Sequence, residues 1–259
     1  MSDDDQKRRD EAMKRTAVLQ LPGMDAVEVD RELRYGDGGT FDLYSPPGRK
    51  PGTSTPAVVF VFGFPDPLFA QGLRHMGAYS SWGRLLAASG MSAIAHSYRD
   101  PVTDTVALLR HLRASAPALG LDPERLGLWA ASGNVPTALH LLMTEPPDAF
   151  RCAALLYGYM LDVPEAAMQF GIAAPSAGRS IDGLPAELPL LVVRAGGDET
   201  PLLNPSIDHF VAAAIARDLP LTFVNQSRAP HAFDLFDDSE ASRDAIRGVL
   251  GFLRHHLGA

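Results

Sequence analysis

The sequence predicts an α/β protein with a mostly parallel central sheet and helices on both faces. Three observations carry this. From Ala57 onward, short apolar runs alternate with amphipathic stretches of helical period, the pattern of a sheet covered on two sides. Runs such as Val58-Val59-Phe60-Val61-Phe62 and Leu190-Leu191-Val192-Val193 are continuously apolar, as expected of parallel strands buried on both faces. No tract reads as a linker or a repeat, so residues 26–259 are expected to form one domain behind an N-terminal extension of residues 1–25.

The elements follow in chain order. The first 20 or so residues are charged and of mixed sign, with helix formers around Glu11 to Lys14; they predict a frayed or docked helix. Glu28 to Tyr44 reads as two short strands split by a turn at Gly36-Asp37-Gly38-Gly39. That cluster lacks the strand-turn-helix context of a dinucleotide loop. Pro46-Pro47-Gly48 and Pro51-Gly52 make a surface loop. A helix is expected over Ser81 to Ser89, closed by Gly90, then a strand over Ser92 to Tyr98. Asp104 to Ala116 reads as a helix with Val106, Leu109 and Leu112 on its apolar face. Leu126 to Trp129 and Ala153 to Tyr157 are further strands, flanking a helix-compatible run from Val135 to Met143. Ile207 to Arg217 places Ile207, Phe210, Val211, Ala214 and Ile215 on one helical face, and the last helix does the same with Ile246, Val249, Leu250 and Leu253.

One segment breaks the rhythm. Leu161 to Leu188 holds three prolines and three glycines together with Met168, Phe170 and Ile172. Its place between two strands suits a small cap or pocket wall, with Met168 and Phe170 as pocket-lining side chains and Ile172 as a further wall candidate. The plainer alternative is an irregular loop with one helix that packs on the body.

Composition narrows the function classes. A hydrophobic content of 46% is ample for a core, and a net charge of −8 argues against a polyanionic partner. No basic stripe with interleaved aromatics points to nucleic acid. The single cysteine, Cys152, opens an apolar run and reads as a buried structural thiol; no internal disulfide can form. The N-terminus lacks the apolar core of a signal peptide and no stretch is long enough to span a membrane, so a cytoplasmic location is expected. Asn225-Gln226-Ser227 matches a glycosylation acceptor, a chance match without secretion. Paired cysteines and a helical H-x-x-x-H are absent, as are a P-loop and a G-x-G-x-x-G. No metal or cofactor is expected.

The chemistry-bearing residues follow strands. Ser132 lies between the apolar run ending at Ala131 and the helix beginning at Val135. A serine on a tight strand-to-helix turn is raised above the sheet edge, with the next backbone N–H free to stabilise an oxyanion. Serine needs a base near neutral pKa. Of eight histidines, His111 and His140 fall inside helices, His96 in a strand, His209 at a helix start, and His255 and His256 in the tail. Only His231 follows the last strand in a loop. Its acid is expected at Asp198, which Gly196 and Gly197 release at a strand end; Glu199 is the neighbouring alternative. The oxyanion donors are expected to be the N–H groups of Gly133 and of Phe64, since Pro65 has none. Gly63, His75 and Asn134 are further pocket candidates.

With Ser132, Asp198 and His231 in that order, the chain resembles the α/β-hydrolase superfamily, in its esterase and dienelactone-hydrolase-like branch. The resemblance spans about residues 28 to 257. It rests on Gly63 after its strand, Ser97-Tyr98-Arg99, Leu121-Asp122-Pro123-Glu124-Arg125-Leu126-Gly127-Leu128, Arg194-Ala195-Gly196-Gly197-Asp198-Glu199 and Pro230-His231-Ala232-Phe233-Asp234. Three departures stand out. Ala130 and Asn134 occupy the glycine positions of G-x-S-x-G, Phe62 stands where the oxyanion loop often carries histidine, and position 132 is serine where dienelactone hydrolases use cysteine. The resemblance implies the α/β-hydrolase fold and a carboxylesterase-like serine hydrolase of small carboxylic esters, working through an acyl-enzyme. The alternatives are a catalytically silent binding protein of the same fold, or a peptidase or thioesterase. The implied partner is a small-molecule ester, with a second copy of the chain as a further association and neither nucleic acid nor membrane.

Overall fold

The sheet grows from an antiparallel start into a parallel body. The computed structural model describes residues 11, 13–50, 52–61, 72–169 and 171–259. Strands β1 (Glu28–Tyr35), β2 (Gly39–Ser45), β3 (Thr55–Val61), β4 (Ser92–His96), β5 (Leu121–Ala131), β6 (Cys152–Leu156), β7 (Leu190–Ala195) and β8 (Leu221–Gln226) form one sheet in the order β1-β2-β4-β3-β5-β6-β7-β8. The β1–β2 and β2–β4 pairs are antiparallel and every later pair is parallel. The parallel strands therefore end on one edge, where the loops after β5, β7 and β8 converge.

Helices α1 (Gly77–Ala88), α2 (Pro101–Leu119), α3 (Val135–Thr144), α4 (Glu165–Gln169), α5 (Leu203–Ala216), α6 (Phe233–Phe236) and α7 (Glu240–Leu257) connect and cover the sheet. Pleating sends alternate residues to opposite faces, which is why the strands read as unbroken apolar runs. Val58 and Phe60 join α1 and α7 side chains such as Trp82, Leu86 and Leu250 in one core cluster. Ala57, Val59 and Val61 join α2, α3 and α5 side chains such as Leu109, Leu139 and Ile207 in the other. Each fully buried side chain of this size contributes about 1.5–3 kcal/mol.

Several boundaries differ from expectation, each with a local cause. Helix α2 starts three residues before Asp104 because Asp100 caps it, its Oδ1 accepting from the Thr103 N–H at 2.7 Å, with Pro101 in the first helical position. Helix α1 starts four residues before Ser81, at Gly77. A Cβ there would lie 2.5 Å from the Arg15 carbonyl oxygen, so the N-terminal segment crosses directly over the helix start. That segment is docked: Ala17 and Leu19 are buried, and the Val18 N–H donates to the Asp234 carbonyl at 2.8 Å. Ile215 departs from its expected place, being 63% exposed while Ile207, Phe210, Val211 and Ala214 are buried. At 100° per residue Ile215 lies about 80° from Ile207, on the margin of the stripe.

The stretch 161–188 contains α4 and a 3-10 turn at Ile181–Gly183. Ala167, Leu184 and Leu188 are buried in the second cluster, with Ile172 packed against it. His140 of α3 lies with Nδ1 3.1 Å from the Pro175 carbonyl oxygen, so the stretch runs along the helix that follows Ser132. Met168 is 41% exposed, and Phe170 lies outside the described residues.

Candidate active site

Strand β5 delivers Ser132 into a single 3-10 turn, Ser132–Asn134, that passes straight into α3. Ser132 has φ 55, a left-handed conformation that serine rarely adopts. Such strain persists only where the surroundings enforce it, at about 1–3 kcal/mol per residue. Pro136 near the start of α3 supports the sharp entry. Asn134 has φ −107, an ordinary value, so the turn does not require glycine there. Its side chain is buried, and Nδ2 donates to the Tyr98 hydroxyl at 3.0 Å. Ala130 is also fully buried, paired between β3 and β6.

The close approach that the elbow needs is supplied from the neighbouring strand. A Cβ on Gly158 would lie 2.3 Å from the Ser132 carbonyl oxygen and 2.4 Å from Val135 Cγ2. Sequence reading passed over Gly158; its signal is a glycine just past a strand end, which marks a close backbone approach.

Asp198 and His231 meet because two turns pack together. The Gly196 N–H donates to the Gln226 carbonyl at 2.8 Å and the Gly197 N–H to the Ala229 carbonyl at 2.9 Å. A Cβ on Gly196 would lie 2.5 Å from the Ser227 carbonyl oxygen, and one on Gly197 2.8 Å from that of Arg228. The two glycines thus press the turn after β7 onto the turn after β8. The result is a chain of hydrogen bonds: Ser132 Oγ lies 2.8 Å from His231 Nε2, and His231 Nδ1 lies 2.5 Å from Asp198 Oδ2. A carboxylate only accepts, so Nδ1 carries the proton and Nε2 is left to accept from the serine.

The Asp198 side chain is 1% exposed, while that of His231 is 36% exposed. Burial pushes the Asp198 carboxyl up, but hydrogen bonds from Thr200 and His231 outweigh it and hold the group below the usual range. One of them runs from the Thr200 N–H to Asp198 Oδ1 at 2.9 Å. Glu199 is exposed. Thr200 was not anticipated; an aspartate bonding the N–H two residues on is the signature that could have revealed it.

The remaining candidates distribute as follows. Gly133 sits in the turn beside Ser132, while Gly63 and Phe64 lie outside the described residues. His75 lies toward β1, its Nε2 3.2 Å from Arg74 Nε and 3.6 Å from Glu32 Oε1. A cleft of about 370 Å³ between Thr40, Arg74, Ser97, Tyr98 and Asp104 adjoins the elbow through the Asn134–Tyr98 bond. A second cleft, about 490 Å³ and mostly apolar, is lined by residues including Leu161, Val163, Leu202 and Pro205 beyond the β7 turn. Among the described residues no group of three or more His, Cys, Asp or Glu could hold a metal, and no helix is long and apolar enough to cross a membrane. Cys152 is buried, which pushes its thiol up to about 12.

No protein-family model and no curated protein matches the sequence. Solved structures do match. A thermostable esterase from Pseudomonas putida ECU1011 superposes with a TM-score of 0.71 at 17% identity, over 99% of this chain and 91% of its own. Brefeldin A esterase, a bacterial homologue of human hormone sensitive lipase, gives 0.68 at 17% identity, over 98% and 84%. Thermogutta terrifontis esterase 2, in a form phosphoramylated by tabun, gives 0.63 at 21% identity, over 92% and 97%. With the strand order above, these likenesses establish the α/β-hydrolase fold; they single out no dienelactone-hydrolase branch.

Proposed function

We propose that this chain is a serine hydrolase of small carboxylic esters. The observation that carries the reading is the hydrogen-bonded chain from Ser132 Oγ through His231 to Asp198, mounted on a strained turn at the carboxyl edge of the sheet. In this reading Ser132 Oγ attacks the ester carbonyl carbon as its proton passes to His231 Nε2. Asp198 keeps the imidazole in the Nδ1–H tautomer and stabilises the imidazolium. The N–H groups of Gly133 and Phe64 hold the developing oxyanion, each contributing about 3 kcal/mol in hydrolases of this type. His231 then returns the proton to the leaving alkoxide, releasing the alcohol. Water, deprotonated by the same nitrogen, attacks the acyl-enzyme; as the adduct collapses to the acid, His231 Nε2 passes that proton to the departing Ser132 Oγ, restoring both residues.

The esterase neighbours support the ester as substrate class, and the T. terrifontis enzyme's reaction with tabun suggests the test. A fluorophosphonate probe should label this chain at Ser132, and Ser132→Ala should abolish both labelling and hydrolysis of short p-nitrophenyl esters with the fold unchanged. Labelling elsewhere, or an alanine variant retaining more than a tenth of turnover, defeats the proposal. An unlabelled wild-type chain would instead support a silent binding protein of this fold.

A further inference from the structure

Beneath His231 lies a second carboxylate that the reaction above does not use. Asp234 is buried, three residues after His231 at the start of α6. The Tyr157 hydroxyl donates to its Oδ1 at 2.6 Å and Trp82 Nε1 to its Oδ2 at 2.7 Å. Both donors are themselves buried and come from different elements, Trp82 from α1 and Tyr157 from the turn after β6. Tyr157 in turn touches the base. Its ring centroid lies 5.2 Å from that of His231 at 70° between planes, with Phe233 on another side at 5.6 Å and 75°. Tyr157 has φ 36 and Ala232, next to His231, has φ 52. Two non-glycine residues in left-handed backbone flank the imidazole, so the surroundings must hold them there.

From this we infer that Asp234 is a positioning residue for His231, acting through the Tyr157 ring. The inference rests on the reading of His231 as the general base. Hydrogen bonds from two neutral donors fix the carboxylate, the carboxylate fixes the tyrosine hydroxyl, and the tyrosine ring fixes the tilt of the imidazole. Asp198 alone sets one edge of that ring. A second contact, from the tyrosine ring packed against it at 70°, is what keeps Nε2 aimed at Ser132 rather than swinging about the Nδ1 bond. The groups bearing on the network are Trp82 and Tyr79 from α1, Tyr157 after β6 and His231 after β8; His231 is the one basic group among these four, and its charge lowers the Asp234 carboxyl less than burial raises it. Burial accordingly pushes the Asp234 carboxyl above the usual range and the Tyr157 hydroxyl well above its own. A cluster satisfied internally, of this cost, and in contact with the base is suited to rigidity.

The test is a double-mutant cycle of Asp234→Asn and Tyr157→Phe in the full chain. Each single change should lower kcat about tenfold with KM unchanged, and the double should be little worse than either, because the two act as one unit. The downfield proton resonance of His231 Nδ1–H, recorded without substrate, should shift or broaden in both variants. If Tm falls while kcat and that resonance stay at wild-type values, the network is only structural and the inference is overturned; so too if the effects on kcat add. Should Asp234→Asn not fold, Tyr157→Phe, which keeps the ring, carries the same readouts. The resonance needs no turnover: a wild-type chain that neither hydrolyses esters nor reacts with fluorophosphonate would sink the proposed function, yet the resonance would still decide the positioning.

Discussion

Gly158→Ala tests the elbow without touching the residues proposed to react. The added Cβ would sit 2.3 Å from the Ser132 carbonyl oxygen, 2.4 Å from Val135 Cγ2 and 2.7 Å from Val135 Cβ. Real contacts of this kind do not fall below 3.0 Å, so the turn must move by at least about 0.7 Å. Neither obstacle can yield cheaply, one being backbone and the other a β-branched side chain with a stiff χ1. Gly158 is not in a left-handed conformation, so alanine meets no backbone penalty and the effect is purely steric. Overpacking of this size costs about 1–3 kcal/mol of stability. The larger effect should be on rate. Ser132 Oγ sits 2.8 Å from His231 Nε2, and a displacement near 1 Å costs up to ~100-fold in a positioned reaction. We expect kcat/KM on a p-nitrophenyl ester to fall about 10- to 100-fold, and fluorophosphonate labelling to slow in parallel, with a cooperative unfolding transition retained. Wild-type kcat/KM together with an unchanged Tm would refute the argument, since it would mean that the turn has slack the packing denies.

Four further outcomes follow from the site and its surroundings. Asp198→Asn should lower kcat by orders of magnitude and Glu199→Gln hardly at all, because only Asp198 is bonded to His231; the reverse order would move the acid to Glu199. The depressed Asp198 carboxyl also stabilises the fold only above its ordinary pKa of about 3.9, and that contribution is lost as pH falls through the native value. The Tm gap between wild type and Asp198→Asn should accordingly narrow on acidification below about pH 4, and a gap that widens there contradicts the sign. In the stretch 161–188, Met168→Ala should shift the ratio of short- to long-chain ester rates by roughly 5- to 30-fold if Met168 meets the acyl chain, whereas Ile172→Ala should only lower Tm because Ile172 packs on the core. Gly248→Ala, on an exposed face of α7 with open space around the new Cβ, should raise stability by about 1 kcal/mol at unchanged activity.

What the sequence made readable was what repeats or terminates. Apolar runs announced the strands because parallel strands bury both faces, and each chemically interesting residue sat just past such a run. Boundaries were less readable where a remote segment decides them. Nothing near Gly77 in the chain announces that Arg15 and Lys14 cross above it, yet that crossing is what makes glycine fit at the start of α1. Ile215 likewise satisfied helical spacing and still faces solvent, because spacing locates a stripe but not its width. Asp234 was visible only as the last residue of a motif; that it meets Trp82, 152 positions away, is a property of the fold alone.

The elbow shows how a motif can change while its geometry persists. In G-x-S-x-G the glycines are a proxy for space around a strained serine. Here the space comes from elsewhere. Asn134 takes an ordinary backbone conformation and spends its amide on Tyr98, and Ala130 adds only a methyl group inside the sheet. The absent Cβ that the turn depends on belongs to Gly158, on the chain leaving the neighbouring strand, directly after Tyr157. Residues 157 and 158 therefore meet the two residues proposed to react separately, the tyrosine ring against His231 and the glycine against the Ser132 carbonyl. A single turn after β6 thus bears on both Ser132 and His231. The departures at 130 and 134 are then no argument against a working serine, because the constraint that those glycines usually meet is met one strand away.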